Sequence, residues 1–512
     1  MVFCGRPSKA CQRCRERKLR CDLRKSSCSS CIRAGAQCTG YRDTLSLRIH
    51  DQTQSVRDKA VSKRLGHPYQ HSMTFSVPKS YPYSLEVQAR DLFFAYYITD
   101  FSKTWDFLTP FYYAANTPSY LTLSIDAVSL AFLSHQLYSS SALSLSRQKY
   151  ISALRQTQLA LENPATAKKE TTLDASLLLD LFENMTNSGL KPCETNRAHV
   201  NGALTLVKLR GLYAFRNSAS LRVLMRLIIN FIITCVSARS PLPPEISTIR
   251  AHAAKFMDVQ DPKWRLSGLM IDYTSLVSEM NTTALEDEES VRRCIELEKK
   301  YEQLALDMPP SWMYKRTFIK EREKSERILQ GYYDVYPNRT LTQTWNVLRL
   351  TRILLCEEVL ERCRNQAEAD EECLSASKRA HQVVEVMVKE ICASVPQMTD
   401  CGCAARHKLP KSPSSPSSSS PNVSKILHWH TPSHNLDVYI LLFSLYVSVS
   451  SRACPSFAQD WVKQQFKYIA KHFGIKEAGL IDEILRREER KEELRTGPWE
   501  VYQLLGSVAF AA

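Results

Sequence analysis

The spacing of the cysteines near the N-terminus constrains this chain more than any other feature of its sequence. The pattern is C-x2-C-x6-C-x6-C-x2-C-x6-C, and its members are Cys11, Cys14, Cys21, Cys28, Cys31 and Cys38. Two thiolates separated by two residues can hold one tetrahedral ion, and zinc prefers sulfur ligands in closed four-coordinate sites. The spacing therefore predicts a small metal-stabilised domain over residues 1–40.

The number of metal ions is left open by the ligand count. Each half of the pattern offers three thiolates, so two separate zinc ions would each lack a ligand. Sharing removes this deficit, because six thiolates make eight metal–sulfur bonds when two of them bridge both ions. In the alternative, the two C-x2-C pairs hold one zinc ion, and Cys21 and Cys38 are not ligands. The metal stoichiometry separates these two hypotheses.

Positive charge is concentrated around these cysteines. Residues 1–66 carry 16 Lys/Arg against 5 Asp/Glu, a net charge of +11, whereas the other 446 residues share +4. Such a basic block predicts a polyanionic partner, either nucleic acid or an anionic membrane. A membrane-spanning segment is not expected, because the strongest apolar runs, 227–236 and 438–449, are shorter than a span requires.

The cysteine chemistry depends on the cellular compartment. The opening residues contain no apolar stretch of secretory length, so we expect an intracellular protein whose thiols stay reduced. Under these conditions a metal site is favoured over disulfide bonds. Ten further cysteines are scattered between Cys193 and Cys454 and are typical of small core residues.

The complete pattern resembles the fungal binuclear zinc-cluster transcription factors, the Zn2Cys6 family. The resemblance implies two Zn2+ ions per chain, with the first and fourth cysteines, Cys11 and Cys28, bridging them. Cys14 and Cys21 would complete one site, and Cys31 and Cys38 the other. The loop over residues 22–27 differs from the family pattern, because it reads DLRKSS where a proline is usual.

The resemblance also implies a role for the basic residues of the first half. Zn2Cys6 modules place a short helix in the major groove of double-stranded DNA. Lys18 would read a CGG-like triplet, since lysine can donate to the O6 and N7 acceptors of guanine. Arg15, Arg17 and Arg20 would mainly contact phosphates. These expectations describe a nuclear, sequence-specific transcription regulator of the RNA polymerase II type.

Residues 41–85 form a predicted basic linker after the zinc domain. Many family members dimerise through a coiled coil here, but this segment holds at most two heptads of apolar positions. Three or four heptads are needed to predict a coiled coil. A homodimer formed through this segment therefore stays an open alternative.

The remainder of the chain predicts a large all-α regulatory domain, divided into residues 86–407 and 426–512. Helical periodicity recurs over residues 87–101, 172–186, 198–211, 220–239, 344–363 and 475–494. No nucleotide-binding glycine motif occurs. Three segments, 41–53, 199–211 and 386–398, loosely resemble the regulatory domain of fungal-specific transcription factors.

A Ser/Pro-rich segment, 408–425, interrupts the helical texture and predicts a disordered linker. It is flanked by Cys401, Cys403 and His407 on one side and by His428, His430 and His434 on the other. Whether these residues bind a further metal ion is left open.

The chain shows no nucleophile–base or metalloprotease motif, so we expect no catalytic activity. The alternative is an enzyme or a protein-binding helical domain that the zinc cluster tethers to DNA.

Overall fold

The computed structural model describes residues 8–41, 83–186, 196–282, 285–319, 326–365, 371–401, 430–490 and 498–505. The chain divides into two compact units, residues 1–81 and 82–512. Nearly all of the predicted basic linker and the whole Ser/Pro-rich segment lie outside the described residues, so the domain boundaries at those positions stay predictions.

The small unit contains two five-residue helices, α1 (Gln12–Glu16) and α2 (Ser29–Arg33). Each helix begins directly after the first cysteine of a C-x2-C pair. Cys11 and Cys28 occupy the N-cap positions with extended backbone, at ψ angles of 158° and 149°. The second cysteine of each pair then lies one turn into its helix and faces the same side as the first.

The core of the small unit consists of cysteine side chains. Cys11, Cys14, Cys28 and Cys31 are all fully buried. The larger apolar residues lie outside this core, since Leu19 is 45% exposed and Ile32 is 58% exposed. A unit of this size cannot bury enough apolar surface to fold without a metal or another cross-link. The fold of this unit therefore depends on what the sulfur atoms bind.

The large unit is mainly helical, and the six helical segments predicted from the sequence are helical over nearly all of the residues that the structure describes; residues 491–494 of the last segment lie outside the described residues. Its helices are α3 (Leu85–Leu92), α4 (Ser119–Leu137), α5 (Ser140–Glu162), α6 (Pro164–Ala167), α7 (Glu170–Thr186), α8 (Asn196–Arg210), α9 (Ser218–Ser237), α10 (Glu245–Ala253), α11 (Pro262–Thr282), α12 (Asp287–Leu306), α13 (Arg339–Asn365), α14 (Glu371–Thr399), α15 (Pro432–Tyr439), α16 (Leu441–Ser450), α17 (Ser456–His472), α18 (Lys476–Arg490) and α19 (Pro498–Leu505). Wider π-helical turns continue α3 over Phe93–Phe101, and a 3-10 helix follows over Lys103–Phe111.

The two longest helices, α13 and α14, pack closely against each other. The α13 helix also packs against α12 and α16, and α14 contacts both α15 and α17. Buried arginines of α13 are paired with acids on its neighbours, for example Arg349 with Glu390 at 3.0 Å and Arg352 with Glu298 at 2.6 Å. Such pairing is required because an unpaired buried charge is strongly destabilising.

The prediction of an all-α second domain needs one correction. Strand β1 (Lys315–Phe318) pairs antiparallel with β2 (Tyr332–Val335), with Lys315 opposite Val335. The side chain of Arg316 makes two hydrogen bonds, of 2.8 and 3.0 Å, to the buried carboxylate of Asp334 across the pair. The two strands, KRTF and YYDV, do not alternate between apolar and polar residues, so they lack the pattern that predicts a strand.

The two apolar runs are core helices in this structure. Among the described residues, Ser218–Ser237 is long and apolar enough to cross a membrane, but 72% of its apolar 18-residue window is buried inside the unit. The run at 438–449 covers the end of α15 and most of α16, where almost every side chain is buried. Both runs therefore act as packing surfaces between helices.

Candidate metal centre and nucleic-acid interface

The sulfur atoms of the small unit are spaced as ligands of tetrahedral metal ions. The distances from Cys11 Sγ to Cys28 Sγ, from Cys11 Sγ to Cys31 Sγ and from Cys14 Sγ to Cys28 Sγ are each 3.7 Å. Zinc–sulfur bonds of about 2.3 Å in a regular tetrahedron place the sulfur atoms about 3.8 Å apart. The observed separations therefore fit zinc and are far longer than a disulfide bond.

The six sulfur atoms form two groups of four. One group contains Cys11, Cys14, Cys21 and Cys28. The other contains Cys11, Cys28, Cys31 and Cys38. All sulfur atoms within a group lie within 4.8 Å of one another, and Cys11 and Cys28 occur in both groups. This arrangement offers four ligands to each of two ions without any residue from outside the pattern.

The two shared cysteines differ in acidity. The backbone N–H of Cys14 lowers the pKa of Cys11, but burial and the surrounding thiols raise this pKa above its ordinary value overall. Burial also opposes ionisation of Cys28, yet hydrogen bonds from the Cys31 backbone and the neighbouring thiols lower the pKa of Cys28 to about 6. Since metal ligands must be thiolates, binding of zinc releases the protons of those thiols that are neutral beforehand.

A basic side chain lies beside the sulfur atoms. Arg13 Nη1 is 4.0 Å from Cys31 Sγ and donates a hydrogen bond of 3.3 Å to the Ser30 carbonyl oxygen. Six thiolates outweigh the charge of two divalent ions, so a cation at this position offsets the excess negative charge. Arg13, the second residue of α1, also links this helix to α2.

The loop between the two halves is fixed without the proline that is usual in the resembled family. The Asp22 carboxylate accepts hydrogen bonds from the backbone N–H of Ser29, at 3.1 Å, and from the Ser29 hydroxyl, at 2.5 Å. These bonds satisfy a free N–H group at the start of α2 and hold the pKa of Asp22 below its ordinary value. The Tyr41 hydroxyl donates to the Arg24 carbonyl oxygen and ties down the middle of the same loop.

Both short helices end in the same way, with one difference that concerns Lys18. The Leu19 N–H donates to the Cys14 carbonyl at 2.8 Å, and Lys18 between them has a φ of +53°. In α2 the equivalent bond joins Ala36 to Cys31, and the left-handed residue is Gly35, with a φ of +58°. Glycine adopts this conformation freely, whereas another residue loses about 1 kcal/mol or more. The first half therefore carries backbone strain at Lys18, whereas the second half has glycine at the equivalent position.

The remaining basic residues of the first half are arranged around the end of α1. Arg15 is half-buried and donates to the Ala10 carbonyl oxygen at 2.6 Å, so its side chain also supports the fold. Arg17, Lys18 and Arg20 are exposed. In the second half Arg33 is the one basic residue between Cys28 and Cys38. The surface of the first half is therefore the more attractive surface for a polyanion.

A thiolate cluster for two metal ions, beside an exposed basic helix end, defines the class of zinc-dependent DNA-binding modules. Residues 9–47 match the family model of the fungal Zn(2)-Cys(6) binuclear cluster domain. Domains of this family bind two zinc ions and DNA, and they occur in transcription regulators. The cofactor of this domain is accordingly Zn2+, two ions per domain. No curated protein and no solved structure matches the chain.

Proposed function

We propose that this protein is a nuclear, zinc-dependent transcription regulator that recognises CGG-like triplets in double-stranded DNA at RNA polymerase II promoters. In this proposal Cys11 and Cys28 bridge the two zinc ions. Cys14 and Cys21 complete one site, and Cys31 and Cys38 complete the other. The observation that carries the proposal is the pair of four-sulfur groups with two shared members.

The proposal assigns different tasks to the exposed basic residues. Lys18 contacts a guanine edge, and its strained backbone supports this role because the equivalent position of the second half is glycine. Arg15, Arg17 and Arg20 contact phosphates on either side. The helical unit has a regulatory or partner-binding task and no catalytic activity. The protein binds DNA either as a monomer or as a homodimer formed through the segment after the cluster, and the spacing of selected triplets distinguishes the two.

Selection of bound DNA from a random pool tests the proposed specificity. A fragment of residues 1–90, loaded with zinc, is expected to enrich sequences that contain a CGG-like triplet. The number and spacing of the enriched triplets report whether the fragment binds as a monomer or a dimer. Enrichment of no sequence, with binding that depends on salt alone, would contradict sequence-specific recognition. Enrichment of an unrelated sequence would refute the CGG assignment.

Replacing Arg17 or Arg20 with alanine is expected to weaken binding to the selected site and to random DNA by the same factor. Each change removes one phosphate contact and should reduce the slope of log K against log salt by about one. Binding isotherms at four salt concentrations on both DNAs measure the two quantities. A change in the ratio of the two affinities would show that the residue reads bases.

Arg33→Ala is the matched control, because Arg33 is an exposed arginine of the second half. It should leave both the affinity and the slope close to those of the unmodified protein. Arg15→Ala is expected to resemble Arg17→Ala in DNA binding. It should also lower the stability of the zinc domain, since the bond to the Ala10 carbonyl is lost.

A further inference from the structure

One cysteine and three histidines converge at the ends of three helices in the large unit. Cys401 follows the end of α14, and His430 and His434 lie just before and within the first turn of α15. His472 is the last residue of α17. Because α14 packs against both α15 and α17, the four side chains meet although His472 is far from the others in sequence. Cys403, His407 and His428 lie outside the described residues.

Three of these residues, Cys401, His430 and His434, are spaced as ligands of one metal ion, and His472 lies close to the same sulfur atom outside that set. Cys401 Sγ is 3.5 Å from His430 Nε2 and 3.5 Å from His472 Nε2. Zinc bonds of about 2.3 Å to sulfur and 2.0–2.1 Å to nitrogen place such atoms about 3.6 Å apart in a regular tetrahedron. One ligand atom from each of Cys401, His430 and His434 lies within 4.8 Å of the other two.

The orientation of His434 suits a metal ligand. His434 is buried, and its Nε2 is 3.1 Å from the Met398 carbonyl oxygen. A carbonyl oxygen can only accept, so in the neutral ring Nε2 carries the proton and Nδ1 carries the lone pair. Histidines that bind metals usually donate their other N–H to a carbonyl or carboxylate in this way. The Thr431 hydroxyl accepts from the His434 backbone N–H at 3.1 Å and fixes this turn of α15.

Aromatic rings hold the two other histidines in place. The His430 ring is stacked on Phe473, with 4.1 Å between ring centroids and an angle of 19°. The His472 ring is stacked on Tyr468 at 4.7 Å and 15°. The centroids of His430 and His472 are 4.8 Å apart. The rings are therefore oriented toward one sulfur atom by packing before any ion binds.

A hydrogen-bond network is the competing explanation of this cluster. In such a network the Cys401 sulfur donates its proton to one imidazole nitrogen and accepts an N–H from the other, both 3.5 Å away. A metal ion instead accepts electron pairs from the sulfur and from every imidazole at once. One sulfur and several nitrogen ligands are a set that suits zinc among the common divalent ions.

We propose that Cys401, His430 and His434 bind one zinc ion, separate from the N-terminal cluster, and that His472, 3.5 Å from the same sulfur atom, turns in to supply the fourth ligand. In the sequence, Cys401 precedes residues 402–429, and His430 and His434 follow them. The ion therefore links the end of α14 to the start of α15 and to the end of α17. With all four positions taken by protein side chains, this site is structural and holds the helix ends together.

The test measures metal content in the purified full-length chain. We expect three zinc ions per chain in the unmodified protein, and two in Cys401→Ser and in His430→Ala. Cys11→Ala should retain the ion of the large unit while it loses those of the cluster, so failure of one site is distinguishable from failure of the other. Cys454→Ser is the matched control, since Cys454 is a buried thiol of the same unit outside this group, and should keep three ions.

A second measurement covers variants that fold poorly. His472 is exposed, so His472→Ala should retain the helical circular dichroism of the unmodified chain. It is expected to release one zinc ion to a chelator at least tenfold faster, because one of four ligands is lost. Two zinc ions in the unmodified chain would overturn the proposal. An unchanged zinc content in Cys401→Ser, or unchanged release from His472→Ala, would overturn it as well.

Discussion

Cys11→Ala is expected to unfold residues 11–38 and to remove both zinc ions of the cluster, whereas Cys38→Ala should leave a weaker, partly loaded domain. Cys11 belongs to both four-sulfur groups, while Cys38 belongs to one. The free energy of metal binding is also the folding free energy of such a domain, on the order of 10 kcal/mol or more per site. Zinc content and circular dichroism of a 1–66 fragment measure the effect.

The comparison needs a control for the loss of a thiol as such. Cys235→Ala in the full-length chain removes a buried cysteine of the large unit and should leave the zinc content of the cluster unchanged. A chelator should abolish the structure of the unmodified fragment, and added zinc should restore it. One zinc ion per unmodified fragment would contradict the shared-ligand arrangement and favour the single site held by the two C-x2-C pairs.

Lys18→Ala is expected to weaken binding to the selected DNA site by about 1–3 kcal/mol, and binding to random DNA much less. The reason is that a contact to a guanine edge exists only on the right sequence, whereas a phosphate contact exists on every sequence. The ratio of the two dissociation constants, measured at several salt concentrations, is the relevant quantity. An equal loss on both DNAs would show that Lys18 is a phosphate contact.

Two further variants separate the Lys18 side chain from its backbone. Lys18→Gly removes the same side chain but relieves the left-handed strain, so it should lose specificity as Lys18→Ala does while the domain becomes at least as stable. Gly35→Ala should instead lower the stability of the domain. An added Cβ at Gly35 meets no atom within 4 Å, so the cost, about 1 kcal/mol, comes from the backbone alone. Specificity should not change in Gly35→Ala.

The cysteine spacing was sufficient to predict which residues gather in the small unit, because ligand spacing restricts such a short chain strongly. The strained helix end at Lys18 was not predicted, since lysine has no preference for left-handed backbone. Aligning the two halves of the pattern places Lys18 opposite Gly35, and that alignment would have indicated a left-handed backbone at Lys18. The capping bond of Asp22, which replaces a proline, was also missed.

In the large unit the helices were predictable from periodicity, and the cluster around Cys401 was predictable only in part. The sequence places Cys401, His430 and His434 at the two edges of one segment, so their proximity could be suspected. His472 was missed because its position depends on how α17 packs against α14, a tertiary contact with no local signal. The loose resemblance of this unit to a fungal-specific regulatory domain stays a proposal.

The all-cysteine core of the small unit has a consequence for how such a module can diversify. In most small domains a surface substitution can disturb the apolar packing beneath it, because neighbouring residues of the same helix form both the surface and the core. Here the stabilising groups are six sulfur atoms and a few backbone bonds, while Leu19, Leu23 and Ile32 already lie outside the core. Substitutions at exposed positions such as Arg17 and Arg20 therefore cost little stability. The module can therefore exchange exposed side chains, and with them the charge of its surface, while its scaffold is retained.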